Sequence, residues 1–107
     1  MAFQYSFSDQ ALSSYRECLN YLTYLVGGTG NPQAAKNFVH ELDVLLKVIS
    51  ESASSFTLVD NEELRLQGYY KLHFKKMKYK IIYHIENRNQ VIIDLIIHDS
   101  RDYENLL

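Results

Sequence analysis

Apolar residues recur along this chain with two different periods, and the change of period divides it. Residues 2–7, AFQYSF, set Phe3, Tyr5 and Phe7 at alternate positions, the pattern of a short strand. Ser8 follows as an N-cap, with Asp9 in the first turn, where unpaired backbone N–H groups favour a carboxylate. From Ala11 the spacing becomes three and four. Leu12, Tyr15, Cys18, Leu19, Leu22, Leu25 and Val26 continue one stripe of an amphipathic helix of about five turns. Gly27-Gly28-Thr29-Gly30 stops it, and Asn31 followed by Pro32, the only proline, opens a second helix. That helix carries Ala35, Phe38, Val39, Leu42, Leu45, Leu46 and Ile49 on one stripe. The spacing predicts two antiparallel helices joined by a short glycine loop.

Residues 50–67 keep no firm period and read as a partly extended connector, with Phe56, Leu58 and Val59 available to tuck under a sheet. Period two returns at Gly68. Tyr70, Leu72 and Phe74 share one face, and Tyr69, Lys71, His73 and Lys75 the other. After a turn around Lys76–Lys78, Tyr79, Ile81, Tyr83 and Ile85 alternate with Lys80, Ile82, His84 and Glu86. Asn87-Arg88-Asn89 is a hairpin turn of residues that tolerate positive φ. The last run, QVIIDLIIH, is apolar at both parities apart from Asp94, which predicts an interior strand covered on both faces. The expected fold is therefore α+β: an N-terminal strand, an antiparallel two-helix hairpin, then a three-stranded antiparallel meander. The first strand joins that sheet and the helices cover one face. The other face is expected to be partly open and to carry Lys71, His73, Lys80, His84, Asp94 and His98.

Composition narrows this picture. A chain of 107 residues, 47% hydrophobic and 22% charged, is expected to form one globular domain over residues 1–107. No run approaches the ~20 apolar residues that span a bilayer, and no basic segment precedes an apolar one at the N-terminus, so no membrane partner is expected. A single cysteine allows no internal disulfide and fits a reducing cytoplasm; Cys18, on a helix stripe, reads as a small buried residue rather than a nucleophile. The net charge of −2 argues against a chain devoted to gripping nucleic acid. That average hides a local patch, because residues 71–80 hold five lysines and no acid.

Little dedicated chemistry is legible. The sheet lacks paired carboxylates for glycoside hydrolysis, and His84, His98 and Asp94 match no zinc-ligand spacing, so neither a metal nor a cofactor is expected. No G-x-S-x-G turn occurs, and the glycine loop joins two helices rather than a strand and a helix, which excludes a phosphate loop. Metal-free RNA cleavage stays physically open. It needs a base, an acid and cations around one phosphate. Lys71, Lys80 and Arg101 could supply charge, and His73, His84 or His98 the proton transfer. Taken alone, the residues read first as an ordinary wet sheet face on which Lys and His alternate with a buried side.

The order of elements, the Pro-opened second helix with Ala35 and Phe38, G-Y-Y-K-L at Gly68–Leu72, Y-K-I-I-Y at Tyr79–Tyr83 and I-I-H-D-S-R-D-Y-E-N-L-L at Ile96–Leu107 together resemble the RelE/ParE superfamily of bacterial toxins. The resemblance implies a growth-inhibitory cytoplasmic toxin of a type II toxin–antitoxin module, of the kind that stabilises plasmids, neutralised by a cognate antitoxin protein. Members divide in activity. RelE-like toxins cut mRNA at the ribosome, whereas ParE-like toxins poison DNA gyrase. Carried over, the catalytic positions of an RNA-cleaving member fall on Lys71, Lys80 and Arg101, with His98 beside them. A partner or RNA surface would take in His73, Lys75, Lys78, His84 and Tyr103. Two departures stand out. Lys80 occupies a position usually held by Arg, which loses the bidentate phosphate grip. Tyr103 sits closer to Arg101 than the RelE-like pattern places its terminal Tyr. Long helices and the acidic balance favour the ParE-like activity; the lysine cluster and histidines keep the mRNA endonuclease as the alternative. A non-toxic, binding-only member is the third reading.

Overall fold

The computed structural model describes residues 3–25 and 32–107, so the expected glycine loop, the Asn31 cap and Val26 lie outside the described residues. Strand β1 (Gln4–Phe7) leads into helix α1 (Asp9–Asn20), which continues as a π-helical turn over Tyr21–Leu25. Helix α2 spans Pro32–Ser52 and ends in a 3-10 turn at Ala53–Ser55. Strand β2 (Thr57–Leu58) and helix α3 (Glu62–Leu66) follow. Strands β3 (Tyr70–His73), β4 (Tyr79–Asn87) and β5 (Gln90–His98) complete the sheet, and a 3-10 turn at Tyr103–Asn105 closes the chain. The strand order is β1-β5-β4-β3-β2. Only β1 runs parallel to its neighbour; the other pairs are antiparallel. The α+β architecture is the expected one, enlarged by a fifth short strand, and β5 is interior as its two apolar parities require.

The Ser8 cap forms: its Oγ accepts the Ala11 N–H at 3.0 Å. The apolar stripes of α1 and α2 meet the odd-numbered residues of β4. Phe38, Ile49, Ile81, Tyr83, Val91, Ile93 and Ile96 are wholly buried on this side. Phe3 and Phe7 pack at its margin, while Tyr5 stays exposed on the edge strand. Tyr83 donates its hydroxyl to the Ala53 carbonyl at 2.7 Å, so the one polar atom this ring brings into the core is satisfied. Burial pushes its phenol pKa up.

The far face is less open than the alternation suggested. Val59, Ile82, Leu95 and Ile97 form a second buried cluster, with Leu64, Tyr69, Tyr103, Leu106 and Leu107 packed against it. Of the connector residues, Val59 does tuck beneath the sheet. The connector also holds α3, a helix too short for its period to announce it. Asn61 caps that helix by accepting the Leu64 N–H at 2.9 Å, and Glu62 and Glu63 occupy its first turn. Gly68 then takes φ +88°, a left-handed conformation that suits glycine, and turns the chain into β3.

Two local features shift residues from their expected sides. Between β4 and β5 the register jumps from Ile82↔Leu95 to Tyr83↔Ile93, leaving Asp94 as the extra residue of a bulge. One inserted residue reverses the parity of everything beyond it. His98 therefore pairs with Tyr79, on the helix side, and not on the face with Lys80 where simple alternation put it. A second shift lies at Ile85/Asn87, beside the Arg88–Asn89 turn, and no described non-glycine residue takes a positive φ there or elsewhere.

Strand β1 covers only the first four residues of the nine-residue β5. Beyond Ile93, α1 takes over the bare strand edge. Ser8 Oγ donates to the Asp94 carbonyl at 3.3 Å, and Ser14 Oγ accepts the Ile96 N–H at 3.1 Å. Cys18 Sγ donates to the Ile96 carbonyl at 3.4 Å. A helix thus finishes the edge with side-chain hydroxyls and a thiol, which removes a site for unwanted strand pairing.

Candidate functional site

The nine residues singled out in the sequence come to three separate places. Lys71, His73, Lys80 and His84 lie on the sheet face away from α1 and α2, as alternation predicts, and Tyr103 folds back over it. Lys80 is only 7% exposed. Its Nζ donates to the Asp99 carbonyl at 3.3 Å and sits 5.1 Å from the centre of the Tyr103 ring, a cation–π contact. Lys71 Nζ donates to Asp60 Oδ2 at 2.9 Å, and that hydrogen bond, helped by the charge, holds the Asp60 carboxyl below its usual range. His73 Nδ1 lies 3.2 Å from Asp99 Oδ1. His84 Nδ1 lies 2.7 Å from Asp94 Oδ2, with the Tyr69 ring edge-on at 5.5 Å. Each of these four basic side chains has an internal partner.

The bulge aims Asp94 at His84, and burial there pushes its carboxyl pKa up, although the hydrogen bond and charge of His84 pull it back. An acid with a raised folded pKa supports the fold fully below its ordinary value of 3.8 and loses that contribution as pH rises through the raised value. Asp94→Asn stays neutral throughout. Its melting temperature, relative to wild type, should climb as pH rises above the ordinary value of 3.8. A difference that stays flat as pH rises would contradict the assignment.

Arg101 and His98 occupy a second place. A cleft of about 610 Å³ opens where the end of α1 meets the end of β5, with Glu17, Cys18, Tyr21, Tyr79, His98 and Arg101 in its wall. Arg101 Nη1 reaches Glu17 Oε2 at 3.8 Å. The Ser100 N–H donates to His98 Nδ1 at 3.1 Å, so the neutral ring carries its proton on Nε2. Burial, reinforced by Glu17, pushes the Cys18 thiol pKa up to about 11. Thiolate is therefore scarce at neutral pH, and Cys18 serves packing and the Ile96 carbonyl.

Lys75 and Lys78 form a third place, on the turn between β3 and β4. The acids that engage the basic residues (Glu17, Glu41, Asp60 and Asp99) carry no partner signal in the sequence, because no motif or period links any of them to the group it meets. Among the described residues no group of three or more His, Cys, Asp or Glu side chains could hold a metal, and no helix is long and apolar enough to cross a membrane.

This separation has a chemical meaning. RNA cleavage needs base, acid and cations within hydrogen-bond reach of one phosphate. Lys71 lies on β3 and turns to Asp60, whereas Arg101 turns to Glu17 on α1, with β4 and β5 between them. At ~4.8 Å per strand that is a gap of about 10 Å or more. Lys80, between them, is buried under Tyr103.

Two solved structures are similar to this chain, and the first agrees with its architecture. In the solved structure of the chromosomal ParDE TA system from P. aeruginosa, one chain resembles this one with a TM-score of 0.68 at 12% identity, covering 91% of this chain and 96% of that one. The isolated E. coli RelE toxin gives a TM-score of 0.46 at 16% identity, over 99% of this chain and 93% of its own. No curated protein matches by sequence. Residues 5–103 match the family described as "ParE toxin of type II toxin-antitoxin system, parDE". The chain therefore belongs to the ParE toxin family of type II toxin–antitoxin systems.

Proposed function

We propose that this toxin inhibits DNA gyrase without cutting RNA, and that a cognate antitoxin holds it inactive in the cytoplasm. The observation that carries the reading is the dispersal of the basic residues. Lys71 is tied to Asp60, Lys80 is buried, and Arg101 faces Glu17 beyond the β5 edge. No surface gathers them around one phosphate, which RNA cleavage requires. The matched family supports the same side. The antitoxin enters from the ParDE relative, whose system pairs the two proteins.

Two assays on the purified protein separate the activities. Gyrase supercoiling should be inhibited, and the double variant Lys71→Ala with Arg101→Ala should inhibit as strongly as wild type. Translating ribosomes given the same protein should keep their mRNA intact. Ribosome-dependent cleavage that disappears in the double variant would reverse the assignment in favour of a RelE-like endonuclease.

A further inference from the structure

Five lysines lie between residues 71 and 80, and the fold sorts them. Lys71 and Lys80 are engaged internally. Lys75, Lys76 and Lys78 are exposed on the turn between β3 and β4, and none forms an ion pair with a described residue. The residues outside the description, 1–2 and 26–31, contain no Asp or Glu that could neutralise them.

The turn that carries these lysines is pinned at several points. Glu41 of α2 places one carboxylate oxygen, Oε1, against two successive backbone N–H groups, those of Lys75 at 2.9 Å and Lys76 at 3.0 Å. Phe74 is buried between Phe38 and Tyr79, and its N–H donates to the Tyr79 carbonyl at 2.9 Å. The Lys78 carbonyl accepts the Asp99 N–H at 2.8 Å. Met77 packs against the main core, so the apolar residue of the turn points in while the three lysines remain exposed. Two acids border the turn without forming an ion pair with its lysines: Glu41, whose Oε1 is held by the two N–H groups, and Asp99, which faces His73.

We infer that this turn is a docking surface for the phosphate backbone of duplex DNA. Its composition selects the partner. Centres of protein–protein interfaces are rich in aromatic residues and Arg and poor in Lys, and the exposed residues of this turn are lysines alone. Lysine is a compact point charge that neutralises a phosphate and releases its counterion without reading a base. The turn therefore supplies position and charge, not sequence specificity. The inference rests on the gyrase reading for its setting, because gyrase works on duplex DNA, and it gives the toxin a contact with the nucleic acid beside the enzyme.

Fluorescence anisotropy of a labelled duplex titrated with the full chain, without gyrase, tests the docking. Three phosphate contacts predict a slope of about −2.7 in log K against log salt, an affinity loss of roughly 40-fold between 50 and 200 mM salt. The triple variant Lys75→Ala, Lys76→Ala, Lys78→Ala should lose binding with an unchanged melting temperature, and the triple Lys→Arg variant should keep it. Absence of binding at 50 mM salt, or equal binding by the triple alanine variant, would overturn the inference. So would tighter binding to polyglutamate than to the duplex, which would make the partner an acidic protein. A parallel supercoiling assay keeps the two readings apart: duplex binding without gyrase inhibition defeats only the proposed target, and inhibition without duplex binding defeats only the docking surface.

Discussion

Replacing Phe38 by alanine is expected to cost about 3–5 kcal/mol of stability, the range for removing a large aromatic ring from a packed core. Phe38 is wholly buried and sits at the middle of an aromatic cluster. Its ring centre lies 5.9 Å from Tyr15, 5.3 Å from Phe74 and 5.1 Å from Tyr79. Those three rings come from α1, the end of β3 and the start of β4, so the cavity would open where the helices meet the sheet. Side chains held by three separate backbones cannot close it without moving an element. A domain of this size has a total stability of about 5–15 kcal/mol, so the variant should unfold at much lower denaturant or fail to fold. Phe38→Leu, which retains more of the volume, should recover part of the loss. A wild-type unfolding midpoint for Phe38→Ala in urea would show that the aromatic cluster is not a structural centre.

Ser14→Ala tests the join between α1 and the bare edge of β5. Its Oγ donates to the Ala11 carbonyl at 3.0 Å and accepts the Ile96 N–H at 3.1 Å. Alanine keeps the helix, which it favours, but leaves the buried Ile96 N–H without its acceptor. An unpaired buried donor costs about 1–3 kcal/mol, more than the gain in helix propensity of a few tenths. The net change should therefore be destabilising, against the usual direction for Ser→Ala within a helix. Amide exchange gives the local check: the Ile96 N–H should lose protection far more than its neighbours on the β4 side. Equal protection in both proteins would mean that water or the backbone replaces the hydroxyl.

Period and capping made the main architecture legible in advance. The stripe Phe38, Leu42, Leu45, Leu46 and Ile49 is the buried face of α2, and Tyr79, Ile81 and Tyr83 meet it from β4. Three things escaped for physical reasons. The bulge at Asp94 falls within IIDLII, where both parities are apolar, so alternation carries no information about a register jump. Simple alternation puts His98 on the wrong face as a direct result. Helix α3 is five residues long, too short to show a period, although Asn61 with Glu62 and Glu63 was a usable start signal. Finally, Lys80 looked like an exposed charge because nothing in a two-residue repeat announces that Tyr103, more than twenty positions later, will cover it. The basic positions that matter for chemistry were thus recognisable as residue types, but their pairing with Asp60, Asp99 and Glu17 depends on long-range closure.

That closure has a consequence for synthesis. Strand β5 is the partner of both β1 and β4, and its edge beyond β1 is finished by Ser8, Ser14 and Cys18 from the first fifth of the chain. Until residues 90–93 have been joined, β1 has no strand to pair with, and until β5 is complete the helix stripes have only part of the sheet to cover. Contacts spanning 78 to 86 residues place a large entropic cost ahead of most of the stabilising interactions, which makes folding slow relative to a helical protein of equal length. The nascent toxin therefore emerges with exposed apolar helices and acquires its shape only once β5 has been made.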